Sequence, residues 1–281
     1  MKAARRLLPL AVSAALLGLL AWRLDLATIT AQLRTLSLPW LLLAASLGPA
    51  QVLLGGVRWA RVSAALEVPL ATGEAVREVA LSTALNQLLP GGMAGDALRV
   101  WRQRHLGARA VTVAAVVDRA LGLGTLLVVT WGGILAWQGV PAAVVLAVAG
   151  VTVGAIGLLL TAPGAPVRRC LGADGPAQLL LSAVLTASFV AGYAAAAKAV
   201  GVPVQTSLVL VVPLVLLAMA VPLSFAGWGP RELAAAVLWP AIGASAEEGV
   251  AVAAAYGLSV LLGALPGLTV ALLPGPVAHD P

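Results

Sequence analysis

The chain has 281 residues, 61% of them hydrophobic and only 10% charged, with a formal net charge of +6. A soluble globular domain carries about a quarter charged residues; without them its surface would be an aggregation-prone apolar sheet. The composition therefore excludes a water-soluble domain, and the positive charge reads as membrane topology and contact with anionic lipid heads, not as nucleic-acid binding.

In chain order, Lys2, Arg5 and Arg6 precede an apolar run over 7–22 that ends in Trp22-Arg23. A helix needs ~20 apolar residues to cross ~30 Å of hydrocarbon. No small-x-small cleavage site follows the run, which favours a first membrane helix over a cleaved signal peptide. Further apolar runs lie at about 39–57, 110–137, 141–162, 177–200, 204–222 and 249–273. Two weaker segments lie among them. Segment 74–90 carries Glu74, Arg77, Glu78, Asn86 and Gln87, and segment 230–243 opens with Arg231-Glu232.

Lys and Arg collect on the cytoplasmic side of a membrane. With the N-terminus inside, the inner face receives Lys2, Arg5, Arg6, Arg58, Arg61, Arg77, Arg99, Arg102, Arg104, Arg109, Arg168 and Arg169. The outer face receives Arg34 and Lys198, with Arg23 near the outer end of the first helix. This arrangement requires 74–106 to begin and end inside. Gln87-Leu88-Leu89-Pro90-Gly91-Gly92-Met93-Ala94-Gly95 supplies the break for such a hairpin, because proline removes a helix donor and glycine loosens the backbone. Loose backbone at membrane depth needs protein or a wet cavity around it.

A similar break follows about 132 residues later, from Val221-Pro222 through Gly227-Trp228-Gly229-Pro230. There, 204–222 and 230–243 read as a second hairpin, entering from the outer face and leaving the C-terminus inside. Two broken segments in corresponding halves point to a transport site at the bilayer midplane. The expected fold is an all-α transmembrane bundle of six full spans plus two re-entrant hairpins, with eight spans as the alternative. It forms a single integral membrane domain over 1–281, with weak halves at 1–137 and 138–281.

Charges inside apolar helices are costly and usually paired. Asp96 and Arg99 share one helix face, and Asp96 suits an N-cap. Asp118 and Arg119 lie ~100° apart around their helix, so each needs a partner elsewhere. Arg231 and Glu232 are available as complements, so at least one cross pair among these four is expected. A structural role in packing and a role in binding both remain open for all six residues. Asn86 and Gln87 either coordinate a polar head group or tie the hairpin together. The Gly150/Gly154 and Gly263/Gly267 pairs suit close helix packing. Trp22, Trp40, Trp59 and Trp137 suit interfacial belts. Cys170 is the single cysteine, in a short polar stretch beside Arg168 and Arg169, and reads as an incidental thiol. His105 and His279 are isolated, and no Gly precedes a Lys-Ser/Thr pair. No metal, nucleotide or other cofactor is therefore expected.

The ordered set of Leu89-Pro90-Gly91-Gly92-Met93-Ala94-Gly95-Asp96-Ala97-Leu98-Arg99, Val116-Val117-Asp118-Arg119, and Val221-Pro222 through Arg231-Glu232 resembles the lysylphosphatidylglycerol synthase transmembrane-region, or flippase-like, family. Trp228 and Pro230 depart from the small residues usual in the late motif. The resemblance implies the translocating half alone, without an aminoacyl-transferase domain. Membrane lipids with anionic head groups are the expected partners, and a separate lipid-synthesis enzyme is a further candidate whose presence would favour transport or assembly. Asn86, Gln87, Asp96, Arg99, Asp118, Arg119, Arg231 and Glu232 are the candidate substrate-binding residues, with helix N-termini at Ala97 and Arg231 offering amides to phosphate. Asp96, Asp118 and Glu232 are the candidate proton or ion carriers. A head-group transferase and a non-transporting lipid-binding scaffold are the alternatives; no catalytic motif supports an enzyme.

Overall fold

The computed structural model describes residues 2–89, 93–136, 140–161, 168–170, 172, 174–219 and 224–269. Its helices are α1 (Lys2–Arg23), α2 (Leu26–Arg34), α3 (Leu38–Ala65), α4 (Thr72–Leu88), α5 (Ala94–Arg102), α6 (Ala108–Ala136), α7 (Ala142–Thr161), α8 (Gly175–Val200), α9 (Thr206–Met219), α10 (Pro230–Leu238), α11 (Ala246–Ala264) and α12 (Pro266–Thr269). Among the described residues there is no strand; Phe225 and Trp228 form an isolated antiparallel bridge. The protein is an all-α polytopic membrane bundle.

Local sequence sets the helix ends. Asp25 caps α2, its carboxylate accepting from the Ala27 N–H at 2.9 Å and the Thr28 hydroxyl at 2.8 Å. Pro39 and Pro176 enter the first turns of α3 and α8, where a missing N–H does no harm. Gly201 ends α8 with φ 90°, and the Val202 N–H reaches back to the Ala197 carbonyl at 2.9 Å. Ser245 and Glu248 form a reciprocal capping box at the start of α11, with bonds of 3.0 and 2.9 Å.

Helices α3, α6, α8 and the α11–α12 stretch Ala246–Thr269 are long and apolar enough to cross a membrane. Helix α1 is joined to α2 by a bend of 102°, so the expected first span continues as a short transverse helix that the apolar pattern did not reveal. Fourteen residues give α9 a length of ~21 Å, less than the hydrocarbon thickness. Helices α5 and α10, nine residues each, are shorter still.

Helices α3, α8 and α11 contact one another at the centre. The approach of α3 to α11 depends on missing side chains: a Cβ on Gly48 would stand 2.7 Å from the Gly263 Cα. Gly267 packs equally tightly on the Ala80 carbonyl of α4. The Gly263/Gly267 pair thus packs within the chain as expected. Gly150 and Gly154 of α7 face open space instead, with no described residue within 4 Å of where a Cβ would stand. Trp59 is also no interfacial belt residue but is fully buried, while Trp22 is 76% exposed; Trp137 lies outside the described residues. Cys170 is buried beside Trp59 and Val62, and that burial pushes its thiol pKa up, with Asp174 adding to the rise.

Helices α4 and α5 form an antiparallel pair: Asn86 meets Asp96, Ser82 meets Gly95 and Glu78 meets Arg102. Helices α9 and α10 also pack on each other. Residues 90–92 and 220–223 of the two breaks lie outside the described residues. Exchanging α3, α4, α5 and α6 for α8, α9, α10 and α11 maps one set of helix contacts onto the other: α3–α4 onto α8–α9, α5–α6 onto α10–α11, and α3–α11 onto α8–α6. Each set carries its own buried apolar cluster, one around Trp59 and Val111, the other around Tyr193 and Trp239.

Gly48→Val is expected to lower stability by ~1–3 kcal/mol through overpacking, whereas Gly154→Val is expected to stay within ~0.5 kcal/mol of wild type. Thermal melting of the purified variants in detergent measures both.

Candidate functional site: a chain of alternating charges

Three helices bring five charged side chains into one line. Arg58 of α3 donates its Nε–H to Asp118 of α6 at 2.8 Å. Asp118 then faces Arg99 of α5 at 3.8 Å, and Arg99 faces Asp96 at 3.4 Å. Asp96 finally pairs with Arg119 of α6. Arg58 also donates to the Ser182 hydroxyl at 3.3 Å, which ties α8 to the network.

The order follows from helix geometry. Asp96 and Arg99, three apart, share a face of α5 and bridge along it. Asp118 and Arg119, adjacent on α6, point in different directions, so one meets the α3 side and the other the open end of α5. Exposure is lowest in the middle of the line and rises sharply at one end: the Arg58 side chain is 12% exposed, Asp118 8%, Arg99 4%, Asp96 16% and Arg119 52%. Three guanidiniums face two carboxylates, so the line holds one positive charge in excess.

Trp59 lies under Arg99, with its ring centroid 4.2 Å from the guanidinium carbon. The ring's negative face stabilises a desolvated cation. The Arg99 Nε–H is buried and has no hydrogen-bond acceptor among the described residues. Asn86 secures the hairpin and the site together. Its amide donates to Asp96 Oδ2 at 3.1 Å, and its oxygen accepts from the Gly95 N–H at 2.8 Å. Gly95 itself lies against the Ser82 carbonyl, where a Cβ would collide. No bond links Gln87 to this network among the described residues. Glu78 and Arg102 form a separate bidentate pair at 2.8–3.0 Å lower on the same hairpin.

Arg231 and Glu232 stand apart. Arg231 donates to the Glu232 carboxylate at 2.9 and 2.5 Å, and the other Glu232 oxygen accepts from the Gly229 N–H at 2.7 Å. Both side chains are at most 2% exposed. Trp228 packs on the guanidinium at 4.6 Å, and Gly257 of α11 leaves room for it. Nearby, Tyr193 and Tyr256 stack with centroids 4.8 Å apart. Ser13 of α1 closes the break, donating to the Trp228 carbonyl at 2.7 Å and accepting from the Phe225 N–H at 2.8 Å.

The expected cross pair between Asp118 or Arg119 and Arg231 or Glu232 is therefore absent among the described residues; each finds its partner within its own set of helices. Adjacent residues pair at Arg231-Glu232 because both lie in a first helical turn and lean toward its N-terminus. The expected N-cap role of Asp96 also fails. Helix α5 begins at Ala94, Asp96 lies inside its first turn, and its carboxylate is held by side chains. The Ala97 N–H bonds to the Met93 carbonyl, and the Arg231 N–H to that of Gly227, so neither is an open phosphate donor. Arg58 was counted from sequence as a residue beyond the end of its span. The apolar positions that continue to Ala65 are the signal that it lies two turns inside α3.

A helical bundle with spanning-length helices and a buried charge network beside a helix break defines a polytopic membrane protein. The chain belongs to the family described as Lysylphosphatidylglycerol synthase TM region, whose model matches residues 6–267. That family is a membrane domain associated with lipid-related functions. No curated protein and no solved structure matches the chain.

Replacing Asp118 alone leaves buried guanidiniums uncompensated, a loss of ~3–5 kcal/mol. Arg58→Gln with Asp118→Asn is expected to cost less than the sum of the single changes by ~1–3 kcal/mol. Arg231→Gln with Asp118→Asn is expected to be additive. Melting temperatures of the two double-mutant cycles give the comparison.

Proposed function

We propose that this protein moves an anionic phospholipid or lipid-linked substrate across the cell membrane. The observation that carries the reading is the charge line itself. A functional lipid path needs fixed charge at membrane depth, opening toward one side, with a net sign opposite to that of its cargo. The Arg58–Asp118–Arg99–Asp96–Arg119 line has a net positive charge and becomes more exposed toward Arg119. It adjoins a break between two helices too short to cross alone, the setting in which transporters place their sites.

In this reading α4–α5 and α9–α10 are re-entrant hairpins of an inverted repeat, and the distribution of Lys and Arg puts both termini on the cytoplasmic side. The head group travels past Arg119 and Arg99, where charge-assisted hydrogen bonds replace part of its hydration. Asn86 supports the site by fixing Asp96. The α10 pair Arg231–Glu232 binds no substrate; it holds the second hairpin rigid against α11 and α1.

The test is reconstitution into liposomes with fluorescent phosphatidylglycerol or phosphatidylcholine and quenching of the outer leaflet. Wild type is expected to move the anionic lipid faster. Arg99→Ala leaves each carboxylate one arginine partner and is expected to fold, but to lose ~1.5–3 kcal/mol of charge-assisted contact, roughly 10- to 100-fold in rate. Equal movement of both lipids by both proteins would sink the proposal.

A further inference from the structure

We propose that the Asp96 carboxylate is a built-in stand-in for the substrate's phosphate, holding the anion site when it is empty and displaced from it when a head group binds. The inference rests on the reading of function above and deepens it to an exchange at one carboxylate.

Two hydrogen-bond donors and an ion-pair partner, from three helices, converge on Asp96. Arg119 of α6 and the Asn86 amide of α4, at 3.1 Å, reach Oδ2; Arg99 of α5 reaches Oδ1 at 3.4 Å. Two guanidiniums and an amide around a pair of oxygens form a typical oxyanion receptor. A phosphodiester resembles a carboxylate in what the receptor reads: one negative charge and two accepting oxygens. The same donors therefore serve either group.

Asp96 is the carboxylate placed to leave. Asp118 is 8% exposed and held by Arg58 at 2.8 Å, deep in the line. Asp96 is 16% exposed, and its partner Arg119 is 52% exposed, so solvent and head groups reach this end of the network. Asp96 also sits in the first turn of a nine-residue helix directly after the break. The buried Arg99 Nε–H has no acceptor among the described residues, so the guanidinium can donate to a further oxygen without giving up Asp118.

The arrangement solves a problem common to anion sites in a bilayer. Unpaired arginines at membrane depth are costly, so an empty receptor needs an anion of its own. Binding then replaces one anion by another. No bond to hydrogen or carbon is made or broken, and Asp96 moves, still ionised, toward the solvent beside Arg119.

The experiment measures binding separately from transport. Binding to the full-length protein in zwitterionic detergent is followed by calorimetry. The probes are dihexanoyl phosphatidylglycerol, inorganic phosphate and dihexanoyl phosphatidylcholine. Asp96→Asn keeps the shape and removes the competing charge. It is expected to bind dihexanoyl phosphatidylglycerol about tenfold more tightly than wild type, close to 1.4 kcal/mol, with binding of the phosphatidylcholine unchanged. An equal gain for inorganic phosphate assigns the site to phosphate oxygens alone; a gain confined to the lipid assigns it to the head group with its glycerol chain. Arg119→Gln is expected to weaken binding, and the gain from Asp96→Asn is expected to vanish in the Arg119→Gln background. Should Asp96→Asn fail to fold, the half-exposed Arg119→Gln carries the test, and unchanged lipid binding in that variant overturns the proposal. Unchanged or weaker binding in folded Asp96→Asn overturns it too, as does absence of binding in both proteins. Lipid movement by wild type without an Asp96 effect on binding leaves the function standing and removes the exchange. The Asp96 effect without lipid movement does the reverse.

Discussion

Ionised groups inside a bilayer need partners, and the Asp118 carboxylate is where this protein joins three helices to meet that need. Asp118 receives Arg58 from α3 and Arg99 from α5, and Arg58 reaches on to Ser182 of α8. Moving two charges from water to a low-dielectric site is expensive unless geometry and extra hydrogen bonds offset it. Here the offset comes from a tight Arg58–Asp118 bond and from the Trp59 ring beneath Arg99. The positions of α3, α5 and α6 relative to one another follow from that requirement. Apolar packing between membrane helices is not directional enough to impose it, because lipid tails are as apolar as the side chains they would displace.

The two sets of helices use the same place differently. In one, Arg99 stacks on Trp59 of α3 and bridges two carboxylates that open toward Arg119. In the other, Arg231 lies against Trp228 and Gly257 of α11, bound to Glu232 and shut from solvent. Ser13 then fastens α1 across that second break. The charges beside the second break are consequently shut in, while those beside the first lead to the half-exposed Arg119 of α6.

Much of this was readable in the sequence, and the failures have physical causes. Runs of apolar residues mark the long helices, and the Pro-Gly stretches mark the interruptions after α4 and α9, because lipid imposes a length and backbone breaks are written in two residue types. Helix α2 escaped because nine residues with a Thr and Gln pattern make no span; its signal was the Asp25 cap. The residues of the charge line were found except Arg58, whose place at the end of an apolar run looked topogenic. Its role depends on α3 continuing to Ala65, past the apolar run itself. The partner assignments failed more broadly. Complementary charge says that a partner exists but not which helices are neighbours; close approaches such as Gly48 against Gly263 and Gly267 against Ala80 contribute to that choice, and small residues in a Gly-rich chain do not announce which contacts they make. Gly150 and Gly154 carry the same signature and touch nothing.

The links of the charge line are unequal, and the inequality decides where it can part. Arg58 to Asp118 is a short, directed hydrogen bond at 2.8 Å. Arg99, by contrast, reaches its two carboxylates through one nitrogen at 3.4 and 3.8 Å, beyond good hydrogen-bond length for both. The line therefore divides most easily at Arg99, into an inner pair anchored on α3 and α6 and an outer pair anchored on α5 and α6. Arginine suits that position better than lysine would. Its charge is spread over a planar fork, so the attraction to one carboxylate can grow as that to the other weakens, without the cation ever being left alone. A small shift of α5 against α6 then redistributes existing contacts and breaks none outright. Helix α5 has nine residues against 28 and 29 in the helices that carry Arg58 and Asp118, so such a shift involves the smallest of the three elements that build the line.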